Sequence, residues 1–100
     1  LGKRLSSKEI ELYKRVDEIL FYEWDPIGVS SSIFDSWARD EYYPYLPKVF
    51  KLVMKGCSVE SIAAYLTDVS TKNMGLSRRE LHDIKIAKML LKVRESSGFQ

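Results

Sequence analysis

The stretch YEWDPIGVS, residues 22 to 30, interrupts an amphipathic helix and decides how the chain folds back on itself. Upstream of it, Leu12, Val16, Ile19, Leu20 and Trp24 recur at helical spacing and form one apolar face. Tyr13 borders that face, and Phe21 and Tyr22 lie off it. Pro26 disfavours helical geometry at Asp25, so the helix ends near Trp24. Asp25-Pro26-Ile27-Gly28 then fits a type I turn, with Asp first, Pro second and Gly fourth. The Asp25 carboxylate can accept the N–H of Ile27 as an Asx-turn. WDPIG therefore reads as a helix stop and chain reversal anchored by a buried tryptophan.

Working outward, the first helix has a clear start. Ser6 and Glu9 are spaced as a capping box, with Leu5 and Ile10 as its hydrophobic staple. Residues 27 to 42 show neither a helical nor a strand period, and loops of that length in a small domain are often functional. A second helix begins at Pro44 or Pro47, since proline suits a first turn. Leu46, Val49, Phe50 and Val53 make its core face, Lys48, Lys51 and Lys55 lie opposite, and Gly56 ends it. Ser58 caps a third helix, with Cys57 and Ile62 as staple and Gly75 as stop. Ser77 and Glu80 are spaced as a second capping box, flanked by Leu76 and Leu81. The fourth helix runs to about Ser96; its wide apolar arc makes it the most buried of the four. No run alternates with period two. The expected fold is all-α, a bundle of about four helices with one long loop between helices 1 and 2. It forms a single domain over residues 1–100, with flexible tails at 1–5 and 97–100.

Charge and aromatic residues are unevenly placed. Residues 17 to 41 hold seven acids against one base, Arg39, and so carry −6 in a chain whose net charge is +2. Nine of the twelve aromatic residues fall between positions 21 and 50. Acid and aromatic side chains therefore coincide. Aromatic residues anchor interfaces, and clustered acids steer basic partners. The candidate partner-binding residues are Glu23, Asp35, Trp37, Asp40, Glu41 and Tyr43. Acids at the C-terminal end of the first helix oppose its dipole, a local cost that a binding role would explain.

Most chemistry is excluded by what is missing. His82 has no local partner pattern and reads as a surface residue. With Cys57 it makes only two His or Cys side chains, too few for a zinc site, so no metal or cofactor is expected. Cys57 reads as staple packing rather than a nucleophile. Each glycine marks an element end or a terminus, which leaves no phosphate-cradling loop. No catalytic residue is assigned, and an enzyme is not expected. Arg78, Lys85, Lys88 and Lys92 form a basic stripe on the fourth helix, with Glu80 and Asp83 nearby on its solvated side. Without an Arg, Asn or Gln set at base-reading spacing, nonspecific nucleic-acid binding is the weaker alternative. An unrelated structural or regulatory interaction role is another. One cysteine and no apolar leader in LGKRLSSKEIE point to the cytoplasm. No apolar run reaches the ~18 residues of a membrane span.

The residues also carry a resemblance. Val16-Asp17-Glu18-Ile19-Leu20, Trp24-Asp25-Pro26-Ile27-Gly28-Val29, Arg39-Asp40-Glu41-Tyr42 and Tyr45 begin it. Gly56, Ile62, Tyr65-Leu66 and Met74-Gly75-Leu76 continue it, over roughly residues 13 to 93. WDPIG followed by EY is its most specific part. The pattern resembles small bacterial all-helical proteins, some similar to immunity proteins of contact-dependent growth inhibition and related toxin systems. The resemblance implies a cytoplasmic protein that binds and neutralises a cognate toxin domain, often a nuclease, whose basic surface an acidic inhibitor can occupy. It also implies that Trp24, Asp25, Pro26, Gly28 and Tyr42 maintain the fold. Toxin contacts vary from pair to pair and carry over to no residue here.

Overall fold

A computed structural model describes residues 5–24 and 42–99. Helix α1 (Ser7–Glu18) runs into a π-helical turn, Ile19–Trp24. A 3₁₀ turn at Tyr43–Tyr45 leads into α2 (Leu46–Met54). Helix α3 (Val59–Asp68) also widens into a π-helical turn, Val69–Asn73, and α4 spans Glu80–Ser96. The described residues contain no strand, and none of their helices is long and apolar enough to cross a membrane. This is a small all-α bundle, as the hydrophobic spacing requires.

The caps explain most of the boundaries. The Ser6 hydroxyl accepts the Glu9 N–H at 3.2 Å while the Ser6 N–H donates to Glu9 Oε1 at 2.8 Å, the reciprocal bonds of a capping box. Ser58 Oγ accepts the Ser61 N–H at 3.1 Å and starts α3. Gly56, at φ +68°, closes α2 in a Schellman arrangement: its N–H reaches Val53 O at 2.9 Å and that of Cys57 reaches Leu52 O at 3.2 Å. Gly75, at φ +69°, turns the chain after the third helix. Pro47 sits in the first turn of α2, where its missing N–H costs nothing.

The π-helical end of the first helix corrects the simple helical stripe. Regular α spacing leaves Phe21 off the apolar face, yet Phe21 is buried along with Ile19, Leu20 and Trp24. Bonds closed at i→i+5 make a wider turn and set later side chains back around the axis. Four of the six residues in this turn therefore enter the core. Tyr22 remains half exposed. Together α1 and this turn bury more side chains than α4, which buries only Asp83, Ile86, Ala87 and Leu90. The expectation that the fourth helix is the most buried is thus overturned.

Three further expectations change in the same region. The Ser77–Glu80 capping box does not form, because α4 begins at Glu80 behind Arg79, which makes no side-chain cap. Leu81 is 84 % exposed, so it staples nothing. The segment from Met74 to Arg79 must carry the chain from α3 to α4. Coiling its last residues would cut their advance from about 3.3 Å to about 1.5 Å each. Arg78 consequently precedes the helix rather than sharing its lysine ridge. At the other terminus, residues expected to form a tail lie against α1. Lys8 Nζ donates to Gly98 O at 2.8 Å and stands 4.9 Å from the centroid of the Phe99 ring.

Candidate functional site

The two chain segments that flank residues 25–41 meet in the core. Trp24 and Tyr42 are buried, with ring centroids 5.6 Å apart, and Phe21 stands edge-on to Tyr42 at 6.4 Å. The other motif residues of the turn, Asp25, Pro26 and Gly28, lie outside the described residues, as do Asp35, Trp37, Asp40 and Glu41.

Trp24 is held by a polar network that the sequence concealed. Its indole N–H donates to Asp83 Oδ1 at 3.0 Å, and the Thr67 hydroxyl donates to Asp83 Oδ2 at 2.7 Å. Asp83, placed on the solvated side of α4 from sequence, is 2 % exposed. His82 is likewise not a plain surface residue. It is partly buried, and its Nε2 lies 3.0 Å from the Trp24 carbonyl oxygen, so the Nε2-protonated tautomer donates there. A buried carboxylate is tolerable only when its oxygens have donors, and Trp24 and Thr67 supply one each. These bonds tie three elements together at Trp24, the last described residue before position 25.

Beside this anchor an open groove of about 430 Å³ runs between the first helix and α4. Arg15, Glu18, Ile19, Tyr22 and Glu23 line one wall, Met89 and Val93 the other. Glu18 and Glu23 are exposed, and Arg15 donates to Ser96 Oγ at 3.3 Å toward the far end. Of the six sequence-predicted contact residues, Glu23 lines this groove. Tyr43 is 60 % exposed but is not among the lining residues, so the structure does not bring the two together there. Tyr43 lies instead near Tyr13, whose pKa is raised chiefly by burial and further by Tyr43 and Asp17. Sequence reasoning missed Tyr22, Met89 and Val93 as groove residues. Tyr22 had signalled itself by lying off the apolar stripe.

Met89 also borders a second groove, of about 400 Å³, on the outer flank of α4. Leu81, Ile84, Lys85, Lys88 and Lys92 complete its lining. Three members of the expected basic stripe thus share a surface with an exposed leucine. Among the described residues no group of three or more His, Cys, Asp or Glu side chains could hold a metal ion. No protein-family model, curated protein or solved structure matches this chain.

Proposed function

We propose that the chain is a non-catalytic binding module of the inhibitor type, an immunity protein that neutralises a cognate bacterial toxin domain in the cytoplasm. The observation that carries this reading is the groove at the C-terminal end of the first helix, where Glu18 and Glu23 flank the half-exposed ring of Tyr22. An aromatic side chain supplies contact area at low entropy cost, and acids around it attract and orient a basic partner. The C-terminal end of the first helix adds its partial negative charge to the same place. In sequence, residues 25–41 add Asp25, Asp35, Asp40 and Glu41 against the single base Arg39. A nuclease domain, basic because it binds phosphate, is the class of target that suits such a surface.

The test is co-expression with toxin domains encoded beside this chain, followed by titration of the purified pair. Protection of growth should be lost when Glu18, Glu23, Asp35, Asp40 and Glu41 are reversed to lysine. Affinity for the toxin domain should also fall as salt rises. Tight binding to duplex DNA or RNA, abolished by reversing Lys85, Lys88 and Lys92 and untouched by the acidic substitutions, would overturn the proposal in favour of a nucleic-acid protein.

A further inference from the structure

The two grooves form one strip with opposite charge on its two sides. Exposed Glu18 and Glu23 lie along the α1 side, which is net acidic although Arg15 stands at its far end bonded to Ser96, and exposed Lys85, Lys88 and Lys92 lie along the outer side of α4. Met89 lines both grooves and marks the boundary, with Ile19, Tyr22 and Leu81 supplying apolar surface. Such a strip is complementary to itself. A two-fold axis lying in the interface plane along that boundary carries the acidic side of one copy onto the basic side of the other. Each copy then contributes the same patch, as an isologous interface requires.

We propose that the chain forms a two-fold homodimer across this face, with Glu18 and Glu23 of each copy meeting Lys85, Lys88 and Lys92 of its partner around a seam at Met89. Other occupants use only half of the strip. A phosphate backbone or an anionic partner matches the lysines and leaves Glu18 and Glu23 repelling it. A basic protein engages the acidic side alone, so the toxin domain of the proposed function and a second copy of this chain would compete for Glu18 and Glu23. A second copy satisfies both sides at once, and it covers the exposed Leu81 and Tyr22 as well.

The size of the strip sets the strength. Helix α4 has 17 residues, so it is about 25 Å long. Neighbouring helix axes pack roughly 8–10 Å apart, which makes a two-helix strip about 20 Å wide. Each copy then buries about 500 Å², a total near the lower limit for a specific interface. The dimer should accordingly be weak and rapidly exchanging, as interfaces at that limit are.

The experiment uses the chain alone and reads independently of any toxin partner. Sedimentation equilibrium from about 10 μM to about 1 mM should show a monomer–dimer equilibrium. Dimer should diminish as salt rises, the Debye length falling from about 30 Å at 0.01 M to about 3 Å at 1 M. The reversals Glu18→Lys/Glu23→Lys and Lys85→Glu/Lys88→Glu/Lys92→Glu alter exposed side chains, and circular dichroism melts check that both variants fold. Each should be monomeric throughout, because like charges then face each other. A one-to-one mixture of the two should dimerise again, since every acidic side once more meets a basic one. A monomeric wild type over the whole range, reversals that leave association unchanged, or a mixture that stays monomeric would each overturn the proposal.

Discussion

Asp83→Ala should be among the most destabilising polar substitutions in the chain. The substitution leaves the Trp24 indole N–H and the Thr67 hydroxyl without their acceptor in a site where both side chains are buried. An orphaned buried donor costs about 1–3 kcal/mol. Thr67 can relieve part of its share by turning its hydroxyl to the carbonyl one helical turn back. The indole has no such freedom, because Tyr42 packs on its ring. Removing a buried carboxylate also returns some desolvation cost. The net loss should be about 2–4 kcal/mol, a large part of the roughly 5–15 kcal/mol that a domain has in hand. Asp83→Asn keeps the volume and one acceptor but turns an NH₂ toward the other donor, so it should lose about 1–2 kcal/mol. Thr67→Val, combined with Asp83→Ala, should cost clearly less than the sum of the two singles, by about 0.5–2 kcal/mol. Urea unfolding followed by tryptophan fluorescence and circular dichroism measures all four. A loss below about 1 kcal/mol for Asp83→Ala, with unchanged m-value, would refute the anchoring role.

Three other outcomes follow from the packing. Trp24→Ala should cost about 3–5 kcal/mol in the same urea assay, as large aromatic truncations in cores do. Gly56→Ala should cost about 1–2 kcal/mol through its left-handed backbone alone, because the added methyl would stand 3.4 Å from the Arg94 guanidinium, close but tolerable. Tyr13 and Tyr65 have pKa values raised above 10.0, in each case chiefly by burial, with Tyr43 and Asp17 adding at Tyr13 and Tyr45 at Tyr65. The fold thus favours their neutral forms; that stability is fully present below the unfolded value and is lost as pH rises through the folded ones. The urea midpoint should fall on the alkaline side of 10.0, and Tyr13→Phe with Tyr65→Phe should flatten that fall.

Short-range rules read the fold well because the deciding signals are local. Ser6 with Glu9, Ser58, Gly56 and Gly75 each act within a turn of their own position, and each sits in the expected place. Ser77 with Glu80 has the same spacing and no cap, because the helix begins only at Glu80, which puts Ser77 outside the N-cap position. The π-helical turn escaped because nothing in ILFYEW distinguishes i→i+5 closure from i→i+4; tertiary packing of Phe21 and Trp24 selects it. Asp83 escaped for the opposite reason. Its partners are 59 and 16 residues away, and no local pattern marks a carboxylate as buried. Of the candidate contact residues, Glu23 was legible as an exposed acid at a helix end. The groove it lines was not, since its far wall belongs to α4.

That far wall links the buried network to the surface. Asp83 and His82 hold Trp24 from α4, and Met89 and Val93, one to three turns further along the same helix, face the groove opposite Tyr22 and Glu23. The buried Asp83 and the core packing that includes Val16 and Leu90 together set the acidic side of the strip against its basic side. This separates two kinds of variant. Reversing Glu18, Glu23 or the lysines should change association and its salt dependence while leaving unfolding nearly untouched, as exposed charges contribute little to stability. Asp83→Asn should do the reverse in urea, yet it should also weaken association through lost registry while every surface charge remains. If Asp83→Asn lowered stability by its expected amount but left self-association intact, the strip would be registered by α1–α4 packing alone, through side chains such as Val16 and Leu90.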